Sequence, residues 1–191
     1  MELTPSVVER HAAEYRDREP LYPVERDAIE TMPAALSAGE FGRRDAQWVV
    51  RWHYRRFLGE YPDGDRRAAE GQFRENAFED VLAAIADAAA ADGAGEAVEA
   101  LATLEGVDVP VGSAFLFFLD PDAYLVVGRR EWTVLRAAGE LERPYPDPPD
   151  VDDYLEYLRA CRSVADRLDC GLVTLHRALW RLWDAELAEE G

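Results

Sequence analysis

Segment 43–58 places apolar and aromatic side chains on more than one side of a predicted helix. Trp48 and Trp52 are one helical turn apart, whereas Val50 and Tyr54 fall on another side. A helix that is apolar on several sides is stable only when other elements cover it. The chain therefore has to surround this helix, and we predict an all-α protein with very low strand content.

Apolar residues at helical spacing, together with end signals, predict further helices along the chain. The predicted ranges are 3–18, 25–37, 77–91, 96–104, 130–138, 151–168 and 173–187. Asn76 is the predicted N-cap of the helix over 77–91. Segment 107–119 is apolar with a short polar break, and 124–127 is too short for a helix.

Segment 144–149 carries four prolines in six residues, PYPDPP. Proline removes a backbone donor and fixes φ, so this segment can be neither regular helix nor central strand. We interpret it as a stiff crossing between lobes. The expected architecture is a two-lobed helical bundle that forms a single domain over 1–191.

The chain is strongly acidic without being poor in apolar residues. Of its 191 residues, 39 are Asp or Glu and 21 are basic, which gives a formal net charge of -18, while 48% are hydrophobic. The basic residues are all arginine, since the sequence contains no lysine. The apolar content excludes disorder, and the lysine-free acidic composition resembles that of a halophilic protein. The charge also argues against a surface that binds anions generally.

Several classes of site are unsupported by the sequence. Cys161 and Cys170 form no CxxC motif, and His176 does not complete a metal set with them, so we expect no metal or other cofactor. Nucleophilic triads, GxGxxG loops, P-loops and HExxH pairs are not found. No apolar run approaches the roughly 18 residues of a membrane span, so we expect no membrane partner and a cytoplasmic location. The oligomeric state stays open.

Segment 104–135, LEGVDVPVGSAFLFFLDPDAYLVVGRREWTVL, resembles the core of the helix-hairpin-helix DNA glycosylases of the endonuclease III-like superfamily. That core has the form LPGVGxxTAxxxL, then a linker, then VDxHVxRVxxRLG. The matching positions are Leu104, Gly106, Val107, Ala114, Leu116, Val126 and Val127. The resemblance implies a hairpin whose backbone N–H groups bind a DNA phosphate.

Three positions depart from the family pattern. Asp108 stands in place of the second hairpin glycine, and its carboxylate would repel a phosphate. Pro110 stands where some members carry a Schiff-base lysine, and Gly128 stands where the family has its catalytic aspartate. The resemblance therefore implies the scaffold without the standard chemistry.

The helix over 43–58 also holds the one locally basic stretch, with five arginines and His53 among aromatic residues. Such a mixture can pair with phosphates and stack on bases. The alternative, which we favour, is that these arginines pair with carboxylates of neighbouring helices. The candidate DNA-binding residues are Gly106, Val107, Arg51, Arg55, Arg56, Arg129 and Arg130.

Three functions remain open from the sequence. The first is a non-catalytic, glycosylase-like protein that binds nucleic acid, with DNA as the expected partner. The second is an active base-excision glycosylase in which another carboxylate replaces the aspartate. Asp120, Asp122 and Glu131 are near Gly128 in sequence, but none has the offset that the family pattern requires. The third is a protein-interaction module with no role on DNA.

The acidic surface leads to a prediction about salt. At molar salt the Debye length falls to about 3 Å, so repulsion between surface carboxylates is largely screened. We expect the protein to lose helical structure when potassium chloride is lowered from molar concentration to dilute buffer. Circular dichroism over that range is the measurement, and an unchanged spectrum would contradict the halophilic interpretation.

Overall fold

The computed structural model describes residues 1–57 and 61–187, except for the side chain of residue 186. Within these residues the protein has ten α-helices, one π-helical segment and no strand, which confirms the all-α prediction. The helices are α1 (Pro5–Arg18), α2 (Tyr22–Ala38), α3 (Arg43–Arg55), α4 (Asp63–Glu75), α5 (Phe78–Ala90), α6 (Ala94–Leu101), α7 (Val109–Leu119), α8 (Arg129–Ala137), α9 (Val151–Leu168) and α10 (Leu172–Leu182). The π-helical segment is Trp183–Leu187.

The apolar segment 107–119 becomes the central helix of the fold. Every residue of α7 from Val111 to Leu119 is at most 8% exposed. α7 packs against α2, α3, α5 and α6, while α1 packs along α10 near the other end of the chain. A helix that is apolar on all sides needs such complete cover. Most of the described buried hydrophobic residues join one connected core, and the division into two lobes stays a prediction.

Most predicted helices agree with the structure apart from their ends. The helix over 151–168 has the predicted bounds, and α2 begins three residues before the predicted start. The end of the helix predicted over 43–58 lies outside the described residues. The segment 144–149 is irregular, as its prolines predict.

α4 lies where the sequence predicts no element, and α7 lies in the segment 107–119, which the sequence marks only as apolar. The buried residue of α4 is Phe73, which packs against Phe115 with ring centroids 5.8 Å apart. A helix with so narrow an apolar contact carries almost no periodic signal. Its position depends on the surface that α3 and the hairpin turn offer, and neither is visible in the local sequence.

The predicted capping role of Asn76 is wrong. α5 begins at Phe78 after Ala77, without a side-chain cap. The Asn76 amide instead donates to the Glu105 carbonyl at 3.0 Å and accepts from the Glu105 N–H at 3.0 Å. Asn76 has extended backbone angles, which turn its side chain toward the α6–α7 turn rather than toward the first turn of α5. It therefore fastens the end of α4 to that turn.

Gly106 lies in the turn between α6 and α7, which the resemblance aligns with the family's hairpin and which is called the hairpin turn below. Gly106 has a φ of 76°, a conformation that side chains disfavour. A Cβ atom at Gly106 would lie 2.7 Å from the Ala69 carbonyl oxygen and 2.8 Å from the Phe73 nitrogen. The glycine therefore allows α4 to approach the turn closely, on the side where a Cβ would project.

The close approach of α4 predicts unequal costs for two glycine substitutions. Gly139 has a φ of 79° with nothing within 4 Å of its Cβ position, so Gly139→Ala carries only the backbone penalty, about 1–2 kcal/mol. Gly106→Ala adds a clash with the backbone of α4 and should lower the free energy of unfolding by about 1–3 kcal/mol more. Urea unfolding at constant molar salt measures both. An equal loss of unfolding free energy in the two variants would show that α4 does not contact the Cβ position of Gly106 closely enough to clash.

Candidate functional site

A cleft of about 450 Å³ lies where the end of α3, the first turns of α7 and α8, and the proline-rich segment 145–149 come together. Gly128, which the resemblance aligns with the family's aspartate, lines this cleft together with Asp108 and Pro110. The three positions at which the sequence departs from the family pattern therefore face one space. The fold collects them because α7 and α8 both begin at the cleft.

Aromatic side chains form much of the cleft wall. Tyr54 and Tyr61 have ring centroids 4.9 Å apart, and Phe57 lies 6.2 Å from Tyr61. Tyr145 and Trp183 line the cleft as well. Tyr61 is 37% exposed, so part of this wall is open to solvent. Aromatic faces at these spacings suit a flat or compact apolar group.

His53 adds a neutral polar group to the wall. It lines the cleft, is 5% exposed, and its Nδ1 has no hydrogen-bond partner among residues 1–57 and 61–187. Burial, and then the charge of Arg56, hold the pKa of His53 well below its ordinary value. The imidazole is therefore uncharged at neutral pH and keeps unused hydrogen-bonding capacity.

Three carboxylates line the cleft. Asp147 pairs with Arg129, and Asp65 lies in the first turn of α4. Asp108 accepts a hydrogen bond from the Val111 N–H at 2.9 Å and caps α7. Burial raises the pKa of Asp108 above its ordinary value.

Two tyrosines of the cleft wall have raised pKa values, to which these carboxylates contribute. Desolvation raises the pKa of Tyr61, and the charges of Asp108, Asp65 and Asp147 raise it further. The pKa of Tyr54 is also raised, first by burial and then by Asp108. Burial is thus the larger cause of both shifts, and the nearby carboxylates add to it.

Beneath the cleft lies a fully buried ion pair between α8 and the residue that follows α3. Arg56 donates from Nη1 to Glu131 Oε1 at 3.1 Å, and the two side chains are 2% and 0% exposed. His176 Nδ1 lies 3.7 Å from the same oxygen, with its pKa lowered by burial and by Arg56. Arg56 also stacks over Trp180, 4.8 Å from the ring centroid.

Glu131 occupies the space that a side chain at position 128 would need. A Cβ atom at Gly128 would lie 2.5 Å from Glu131 Oε2 and 3.2 Å from Arg56 Nη2. In the described part of the chain these two atoms have no hydrogen-bond partner. Glycine at position 128 is therefore compatible with the buried ion pair, whereas a larger residue there would displace the side chains of Glu131 and Arg56.

The sequence did not identify Glu131 because its offset from position 128 looked unsuitable. Glu131 follows Gly128 by three residues, and one helical turn brings a side chain at that position back toward the helix start. An N-cap residue followed three residues later by Glu is a known signature of a helix start. Segment 128–131, GRRE, has this spacing, which is the one sequence signal that could have identified Glu131.

The predicted DNA-binding residues do not form one patch. Arg129 and Arg130 line the cleft, whereas Arg56 lies below it in the buried pair. Arg51 lines a separate hollow between α3 and α4, and Arg55 is exposed on α3. The pairing of Arg56 with Glu131 agrees with the structural interpretation of the arginine-rich helix.

The remaining two candidates lie in the hairpin turn. Val107 is buried, and Gly106 presents its Cβ side to α4. The Glu105 N–H in the same turn is already bonded to Asn76. This side of the hairpin therefore contacts protein in the structure.

Arg130 differs from Arg129 in its surroundings. Its guanidinium lies 4.2 Å from the Trp180 ring centroid and donates to Asp184 at 3.0 Å, with the side chain 7% exposed. The Arg129 side chain is 58% exposed and lies 5.2 Å from the Tyr145 ring centroid. Of the cleft arginines, Arg129 is the one placed at the rim.

Metal-binding groups and membrane-spanning helices can be assessed only for the residues that the structure describes. No group of three or more His, Cys, Asp or Glu side chains there has metal-binding geometry. Cys161 is buried and Cys170 is half-buried, both as free thiols. In the same residues, no helix is both long and apolar enough to cross a bilayer.

The buried pair leads to a stability prediction. Glu131→Gln leaves the Arg56 charge buried without a counter-charge, so the free energy of unfolding should fall by about 3–5 kcal/mol. Arg26→Gln, which breaks an exposed pair with Asp27, should leave it unchanged within error. Urea unfolding of both variants at molar salt makes the comparison. A loss no greater than that of the control would show that the pair is dispensable.

No protein-family model, curated protein or solved structure matches this chain. Function is therefore argued from the cleft and from the residues beneath it.

Proposed function

We propose that this chain is a non-catalytic binding protein on a helix-hairpin-helix glycosylase-like scaffold, and that its cleft receives a single unpaired base of a nucleic-acid partner. The observation that carries the proposal is the aromatic cleft at Gly128. It lies where the resemblance implies the active site, yet no carboxylate projects from position 128.

The cleft favours recognition of a base over recognition of the phosphate backbone. Tyr61 and Tyr145 offer ring faces on which any base can stack, at about 1–3 kcal/mol per base, whereas Tyr54 is only 6% exposed and supports Tyr61. Arg129 at the rim is the cleft arginine with substantial exposure. Binding should therefore depend on stacking more than on counterion release, and should persist in concentrated salt.

A specific observation favours active excision as the second candidate. Glu131 brings a carboxylate oxygen to within 2.5 Å of the Cβ position at Gly128. In this second candidate, Glu131 replaces the family's aspartate. Its complete burial and its pairing with Arg56 argue for the binding protein instead, because a reacting sugar has to reach the carboxylate.

The binding proposal is tested with fluorescently labelled oligonucleotides in molar potassium chloride. Single-stranded DNA and a duplex with one bulged base should bind about tenfold more tightly than a perfect duplex, measured by anisotropy. Tyr61→Ala removes one stacking face and should weaken binding about tenfold, a loss within the stacking range. Tyr124→Ala removes a tyrosine outside the cleft lining and is the matched control.

Each other result has a definite meaning. Equal binding of bulged and perfect duplexes, or equal losses in the two tyrosine variants, would contradict base recognition in the cleft. Absence of binding to every oligonucleotide would favour the protein-interaction module.

Excision is tested separately. The protein is incubated at high salt with duplexes that carry uracil, alkylated or oxidised bases, and the products are treated with alkali. The proposal expects no strand break at the lesion. Breaks that require Glu131, and that disappear in a Glu131→Gln variant shown to be folded by circular dichroism, would establish the second candidate instead.

A further inference from the structure

We propose that the cleft is selective for an organic ammonium with an aromatic or compact apolar body, over neutral and anionic molecules of the same shape. This inference uses the same cleft as the proposed function, but it concerns a small molecule and needs no nucleic acid. The argument rests on uncompensated carboxylates, converging aromatic faces and one buried polar group without a partner.

Counting charges around the cleft leaves an excess of carboxylate. Arg129 is paired with Asp147, and Arg130 is paired with Asp184, which also accepts from Arg181 at 2.6 Å. The four carboxylates Asp65, Asp108, Asp147 and Asp184 therefore exceed these three arginines by one. Within residues 1–57 and 61–187, neither Asp65 nor Asp108 forms an ion pair with an arginine or histidine. A cation entering the cleft would supply the missing counter-charge.

The aromatic wall strengthens this preference. Tyr54 and Tyr61 stand beside each other, 4.9 Å between centroids with an interplanar angle of 59°, and both border the same space as Asp65 and Asp108. An ammonium over a ring face gains about 0.5–2 kcal/mol from the ring quadrupole, and an apolar body gains contact with the same faces. The raised pKa values of the two tyrosines, to which Asp108 contributes, agree with a negative potential there.

His53 is the independent sign that the cleft is built for a ligand. Its ring is 95% buried, since only 5% is exposed, and its Nδ1 lacks a hydrogen-bond partner in the described residues. A buried polar atom left unpaired is destabilising unless something else satisfies it. Because the imidazole is neutral, it can accept a hydrogen bond from an ammonium without repelling it.

An anion is the competing occupant. The first turns of α7 and α8 open at the cleft, and each helix start carries a partial positive charge of roughly half a unit. Asp108, however, already caps α7 with its own carboxylate. Arg129 at the other helix start is neutralised by Asp147. The starts of α7 and α4 offset only part of the charges of Asp108 and Asp65, since each carries roughly half a unit of positive charge. The cleft therefore keeps an excess of carboxylate, while the starts of α7 and α8 already have carboxylate or arginine neighbours of the chain itself.

The test compares three probes of nearly equal size: benzylammonium, benzyl alcohol and benzoate. Isothermal titration calorimetry in molar potassium chloride at neutral pH should show benzylammonium binding at least tenfold more tightly than either of the others. Asp108→Asn keeps the capping oxygen of α7 while removing the charge, and combined with Asp65→Asn it should abolish that tenfold preference. Asp122→Asn changes an exposed carboxylate outside the cleft lining, and should leave the preference intact.

The outcomes separate this inference from the proposed function. Equal binding of benzylammonium and benzyl alcohol, preference for benzoate, or a preference that survives in the double variant would overturn the ammonium site. The oligonucleotide results are unaffected by any of these. Selective ammonium binding in a protein that binds no oligonucleotide would uphold the inference while the proposed function fails.

Discussion

The buried ion pair between Arg56 and Glu131 is the interaction on which the arrangement of this protein depends. It joins the end of α3 to the first turn of α8 inside the core, where both side chains are almost inaccessible to water. Two charges taken out of water are stable only when each has its partner, so neither helix can shift without exposing an unpaired charge. The pair thereby fixes the distance between the two helices that border the cleft, and it requires glycine at position 128.

The cleft follows from the way in which this ion pair positions α3 and α8. α7 is held in the centre by apolar contacts on every side. Its first turn and the first turn of α8 both lie at the cleft. The prolines of segment 145–149 keep the opposite wall from becoming helical, so Tyr145 and Asp147 face the cleft from irregular backbone. Aromatic and acidic groups meet there, while the arginines nearby are already bonded to carboxylates of the chain itself.

The same structure changes the meaning of the family resemblance. In the glycosylases, the hairpin glycine allows close approach to a phosphate, whereas here Gly106 allows close approach of α4. At Gly128, which the resemblance aligns with the family's aspartate, the carboxylate of Glu131 occupies the side-chain space from one turn later in α8. The resemblance in sequence thus coincides with contacts that serve packing, and the open, aromatic part of the site lies beside them.

The sequence by itself determined the helical class, the bounds of α9, the irregular proline segment and, for Arg56 among the arginines of 43–58, the expected pairing with a carboxylate of another helix. These depend on periodicity, on the missing N–H of proline and on the need to neutralise a buried charge, all of which are local properties. It did not indicate α4, it assigned Asn76 to the wrong contact, and it set aside Glu131. Only the tertiary structure decided these three, because each depends on a surface or a space built by residues distant in the chain: α4 on the hairpin, Asn76 on the Glu105 backbone, and Glu131 on Arg56 across 75 positions of sequence.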